Sequence, residues 1–241
     1  FDKSILISCL KYSIPLMPAM LGSLISAASD RLVIAEYVNM ETVALYSFAF
    51  QIASLVYVAG DAITRTMTPL AMSGLVNNKE ETKIKIADFS VIIWSVMILV
   101  NLIIFLFSKE IVKIMGSDAY EQAYILIPFL GFVYVLGMQQ RFPNQIIQFY
   151  KKSWIISAGC IIMGGANLLL NLIFVPHWGF VAAVVNTILS NAIYVLWTFI
   201  QASRLEKINY KWRKLLLISI VFIALLFLEY IIVSSMEVTI L

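Results

Sequence analysis

The sequence predicts an all-α protein built of transmembrane helices, and two observations carry that prediction. Hydrophobic residues make up 61% of the chain and charged residues only 13%, whereas a soluble domain is about 45–50% apolar and about 25% charged. The apolar residues also fall into seven runs of roughly 20 or more, the length an α-helix needs to cross the hydrocarbon core. Strands do not compete, because an open sheet edge in lipid leaves backbone groups unpaired. The expected fold is a polytopic helix bundle of about seven spans.

The spans are predicted at 12–35, 42–70, 86–107, 122–149, 153–175, 179–202 and 214–235. The second and fourth exceed the minimum length and turn polar toward one end, so they either project past the bilayer or line an aqueous space. Pro176-His177-Trp178-Gly179 reads as a tight turn between the fifth and sixth spans. Gly164, Gly165 and Ala166, with Ala182 and Ala183 across that turn, are small residues that let helices approach closely. The chain opens on Phe1, Asp2 and Lys3 rather than Met, as expected of a segment of a longer polypeptide.

Lysines and arginines in the connections orient the chain. One side carries Lys3, Lys11, Lys79, Lys83, Lys85, Lys151, Lys152, Arg204, Lys207, Lys211, Arg213 and Lys214, twelve in all; the other carries only Lys109 and Lys113, among several acids. The first residues and the even-numbered connections are therefore expected in the cytoplasm.

Charge inside a span is costly and marks a bundle interior or water-filled cavity, so function is sought there. Asp30 and Arg31 are neighbours in the first span and point about 100° apart on a helix. Either one faces a lumen while the other pairs with a neighbouring helix, or Arg31 reaches the outer interface while Asp30 caps a break after Ser29. Asp61 and Arg65, acid first and four apart, suit a helical ion pair; alternatively Arg65 adds positive charge to the inner mouth of a cavity. Arg141, Asn144, Gln145 and Gln148 share one helical face, and Pro143 within them loosens the backbone ladder. Asn167 and Asn171 also share a face, for bonding between helices or for a cavity wall.

Other functions are excluded or unsupported. Net charge is +3, too small to suggest nucleic acid. Cys9 and Cys160 form neither a metal spacing nor a disulfide framework and are expected as free buried thiols. A single histidine, His177, anchors no metal cluster, and no phosphate-binding Gly-rich loop occurs. The chain is therefore expected to be neither an enzyme nor a cofactor-binding protein.

The stretch KYSIPLMPAMLGSLISAASDRLVIAEYVNMETVALYSFAFQIA resembles the start of the C-terminal half of oligosaccharide-lipid flippases. These are the O-antigen and polysaccharide exporters of the multidrug/oligosaccharidyl-lipid/polysaccharide superfamily. The resemblance rests on Ser13, Pro15-Leu16, Pro18, Ser29-Asp30-Arg31, Ala44 to Tyr46 and Gln51. Thr68-Pro69-Leu70 before a lysine-rich loop, and Asn167 and Asn171 before Pro176, Gly179 and Ala182-Ala183, continue it across about 5–205.

The resemblance implies one lobe of a two-lobe, inverted-V transporter, with 1–205 a six-helix lobe and 206–241 an additional helix, the chain truncated at both ends. It implies residence in a bacterial cytoplasmic membrane and movement of undecaprenyl-diphosphate-linked sugars to the outer leaflet. The implied partners are that lipid-linked oligosaccharide, an N-terminal lobe of the same polypeptide and a polysaccharide polymerase. Asp30 and Arg31 carry over from the motif; Arg65, Arg141 and Gln145 are added to the substrate path by position, with Asp61, Gln51, Asn144, Asn167 and Asn171 as helix-pairing or cavity groups. A proton gradient, a Na⁺ gradient and the membrane potential all remain open as the driving force. A cation-coupled multidrug exporter of the same superfamily is the alternative, and a non-transporting scaffold of a polysaccharide assembly complex is another.

Overall fold

The computed structural model describes residues 3–116, 118–222 and 224–225. Two prolines shape the first span. Helix α1 (Lys3–Ser13) passes through a 3₁₀ turn (Ile14–Leu16) into α2 (Met17–Tyr37). Pro15 and Pro18 have no N–H to donate, so the ladder breaks where they enter. The helix reaches back to Lys3, nine residues before the predicted start at 12.

Asn39 starts the next span, its side chain accepting from the Thr42 N–H at 2.7 Å, as an N-cap residue does. Helix α3 (Met40–Asn77) is 38 residues long. Helix α4 (Lys79–Leu106) begins earlier than predicted, because Glu80 and Glu81 in its first turn suit the positive end of the helix dipole. A short amphipathic helix α5 (Ser108–Met115) and a 3₁₀ stretch (Asp118–Ile125) fill a connection read as loop.

The fourth span starts later and is broken twice. Pro128 opens α6 (Ile127–Gln139), and the chain bends by 51° between Ala119–Ile125 and the helices that follow. After Gln140 the chain continues as α7 (Arg141–Phe149). That break falls where Pro143 removes the donor that would have reached the Gln139 carbonyl.

Helix α8 (Trp154–Leu205) is a hairpin of two limbs. Gly179 turns it at φ 59°, ψ −147°, a conformation essentially restricted to glycine. The limbs run antiparallel, since Trp197 donates to the Ile155 carbonyl at 3.0 Å and Asn186 to Asn171 at 3.0 Å. Six predicted spans are thus present. The seventh, 214–235, overlaps helical residues at 212–222 and 224–225 and otherwise lies outside the described residues.

Two packing layers build the body. α2 lies parallel to the first limb of α8 at backbone contact: an added Cβ at Gly22 would stand 2.4 Å from the Cys160 carbonyl carbon, and one at Gly164 would stand 2.3 Å from the Gly22 oxygen. α3, α4 and α6 close the other side around Ile52, Val56, Ile93, Met97, Leu130 and Met138. There Asn101 donates to the Pro128 carbonyl at 3.0 Å.

At one end, Glu206 accepts from Lys79 (2.5 Å), Lys83 (2.7 Å) and Tyr150 (2.6 Å). Lys211 pairs with Asp88 nearby. The connections predicted to share the cytoplasmic side therefore meet at one end of the bundle. Of the two free cysteines, Cys160 is buried as expected but Cys9 is exposed, because α1 packs little of its surface.

Candidate functional site

Two polar sites lie within the spans. The first centres on Asp30, only 2% exposed. Its carboxylate accepts from Tyr46 Oη (2.6 Å), Asn171 Nδ2 (2.6 Å) and Thr187 Oγ1 (2.8 Å). Around it, Ser29 bonds Asn167, Asn167 donates to Thr187 at 3.1 Å, and Asn186 donates to Asn171 at 3.0 Å. Neutral groups from α2, α3 and both limbs of α8 thus surround one acid that has no cationic partner among the described residues. The charge of this carboxylate is thus met by hydrogen-bond donors alone.

Arg31 points elsewhere. It donates Nε to Ser47 Oγ at 3.0 Å and Nη1 to the Ala27 carbonyl at 2.7 Å, and lies 5.5 Å from the Phe50 ring centre. α2 is continuous through Ser29, so Asp30 caps no break.

The second site is an open cavity of about 500 Å³ lined by α2, α3, α6, α7 and α8. Asp30 and Thr187 form part of its wall, followed by Tyr57, Tyr134, Gln140, Arg141, Asn144 and Tyr194. Arg141 crosses to α3, donating to Tyr57 Oη (2.9 Å), Thr64 Oγ1 (3.0 Å) and Asp61 Oδ1 (2.5 Å). Asp61 also accepts from Arg65 Nε at 2.5 Å, the predicted helical pair, and the Arg65 side chain is 77% exposed. One carboxylate thus serves two guanidinium groups.

The predicted residues therefore divide. Asp30, Arg141 and Asn144 line the cavity; Asn167 and Asn171 organise Asp30, and their linkage to Asn186 and Ser29 is the inter-helix bonding expected. Asp61 stands behind Arg141. Arg31 and Arg65 are not on the lining. Gln145 donates to Thr68 at 2.9 Å and faces a second groove between α3, α4 and α7. Gln51 is exposed on the surface of α3. Among the described residues no group of His, Cys, Asp and Glu gathers as a metal site.

Sequence reasoning gave no site role to Tyr46, Thr187, Asn186, Tyr57, Tyr134, Asn191 and Tyr194. A signal existed for some: Thr187, Asn191 and Tyr194 recur at helical spacing in an otherwise apolar run. Tyr46 and Tyr57 look like ordinary span aromatics, and only the fold brings them to a cavity.

A family model described as "Polysaccharide biosynthesis protein" matches residues 1–125. The chain belongs to that family. No curated protein matches the sequence. Two solved structures resemble this polysaccharide biosynthesis family chain. One is an outward-facing multidrug resistance MATE family transporter of the MOP superfamily, at 20% identity and TM-score 0.65. The other is a MOP superfamily transporter from Pyrococcus furiosus Vc1 (DSM3638), described as having a binding pocket of reverse polarity, at 20% identity and TM-score 0.66. Each match covers 83% of this chain and 45% of the other. The fold is that of these transporters, and the chain spans under half their length.

Proposed function

We propose that this chain is one lobe of a membrane transporter that moves lipid-linked oligosaccharides across a bacterial cytoplasmic membrane for polysaccharide assembly. The observation that carries the reading is the polar cavity within apolar helices. A sugar headgroup crosses hydrocarbon only along such a path while its lipid tail stays in lipid. Membership of the polysaccharide biosynthesis family supports the cargo. The Asp30 cluster supplies a coupling site, where a proton or Na⁺ binding the carboxylate changes the charge shared by α2, α3 and both limbs of α8. The protein acts by binding and conformational change, with no bond made or broken. An N-terminal lobe closes the cavity, and a polymerase receives the product.

The test is a translocation assay on the full-length protein in vesicles, using lipid-linked oligosaccharide from the source cells. Transport driven by an imposed ion gradient and lost in Arg141→Ala is the expected result. Absence of transport under every gradient overturns the reading and favours a scaffold. A second reading, export of aromatic or cationic drugs, is favoured by Phe50, Tyr57 and Tyr134 beside Asp30. Drug efflux without sugar-lipid transport would decide for it.

A further inference from the structure

Charge does not cancel at the end of the bundle where the lysine-rich connections meet. The described acids there are all taken: Glu80 pairs with Lys83 at 2.7 Å, Glu81 with Lys85 at 2.6 Å, Glu206 with Lys79 and Lys83, and Asp88 with Lys211. Lys151, Lys152, Arg204, Lys207, Arg213 and Lys214 remain, all exposed and without a carboxylate partner among the described residues. The fold gathers them. Tyr150, just before Lys151, donates at 2.6 Å to Glu206, which stands between Arg204 and Lys207 in the chain. The Trp212 ring, just before Arg213, packs 4.8 Å from Phe199 near the end of α8. Apolar surface begins where these cations stop. Trp154 is exposed two residues after Lys152, and Leu217 and Ile220 are exposed four and seven positions after Arg213. At that spacing they share with Arg213 one face of the helical residues 212–222.

We propose that this end of the bundle is a binding site for an anionic phospholipid of the leaflet it meets. The lipid phosphate lies against Lys207, Arg213 and Lys214, and an acyl chain runs down Leu217 and Ile220. A lipid suits the patch better than a soluble anion, because cation and apolar stripe follow one another along one helix face. With the neighbouring acids committed to other lysines, the phosphate supplies the missing counter-charge. Basic clusters beside a span attract anionic lipid by about fivefold per Lys or Arg near the surface. Trp154 and Trp212 suit the same level, where amphipathic rings collect. None of these residues lines the polar cavity, so the site is independent of the cargo.

The experiment delipidates the full-length protein in a neutral detergent and measures radiolabelled lipid retained through gel filtration. The probes are phosphatidylglycerol, phosphatidylcholine and undecaprenyl phosphate. The wild type is expected to retain phosphatidylglycerol over phosphatidylcholine by at least about fivefold, the scale of one cation at the surface. That ratio should fall toward one near about 1 M salt, where screening acts within about 3 Å. Combined Lys207→Gln, Arg213→Gln and Lys214→Gln should bring it toward one at low salt and leave phosphatidylcholine retention, the check on folding, unchanged. Arg213→Lys, which keeps the charge, should retain the preference, and so should Lys113→Gln on the α5 helix. Equal wild-type retention of both phospholipids, or an unchanged ratio in the triple variant, overturns the site. An equal fall in Lys113→Gln reduces the effect to net charge and also overturns it. Selective retention of undecaprenyl phosphate over phosphatidylglycerol assigns the cations to the cargo and overturns the phospholipid site, leaving the transport reading standing.

Discussion

Asp30 shows what one buried acid demands. Its two oxygens accept from three donors, on α3 and on both limbs of α8. An amide in its place turns an N–H₂ toward one of those donors. Asp30→Asn should therefore destabilise the protein by about 1–3 kcal/mol, seen as a lowered melting temperature in detergent, while Gln51→Ala on the exposed face should leave it unchanged. Asp30 itself is legible in the sequence because an acid in an apolar run is a local signal. Its partners lie 16, 141 and 157 positions away, and no periodicity connects them. The same holds for Arg141: its polar face is readable, but the spacing links Asp61 only to Arg65. Helical spacing reveals neighbours four residues apart and says nothing of a carboxylate on another helix.

The helices are legible as elements, and their ends and breaks follow from prolines, a cap and first-turn acids. What spacing does not give is how closely two of them approach. Gly22→Leu or Gly164→Val should separate α2 from α8, because no room exists for a side chain at either contact; the expected readout is loss of monodisperse protein after extraction. Gly165→Ala, with nothing within 4 Å of the added carbon, should fold normally. At the other end, Glu206 joins α4, α7 and α8, its side chain 10% exposed. Burial acts to raise its pKa, but hydrogen bonds from Lys79, Lys83 and Tyr150 outweigh that and hold it down at about 2. A depressed acid stabilises the fold fully above its ordinary value of 4.5 and loses that contribution as pH falls toward 2. The wild type should therefore lose stability over that interval more steeply than Glu206→Gln, as thermal unfolding across pH measures.

For the whole molecule, the charge bias expects 76–85 and 203–214 in the cytoplasm and 36–41 and 176–179 outside. In intact cells, a cysteine replacing Glu41 should label with an impermeant reagent, and one replacing Lys79 should not. Labelling at Lys79 alone would reverse the orientation. The meeting of Lys79, Tyr150 and Glu206 at one end agrees with an even number of crossings between them, a relation that the lysines and arginines of the loops alone imply. The cavity is not readable in the same way, because it exists only where five helices converge. The length of α3 carries one more consequence. At about 1.5 Å per residue its 38 residues reach about 57 Å, against roughly 30 Å of hydrocarbon. Tilts run to about 40° and still leave it too tall, so part of this rod stands in water. Tyr46 and Asp61 are about 22 Å apart along it, which sets the Asp30 layer and the paired guanidiniums toward opposite boundaries of the oily slab. About 22 Å fits within roughly 30 Å of hydrocarbon, so one slab can hold both layers while the surplus length of α3 stands beyond its faces.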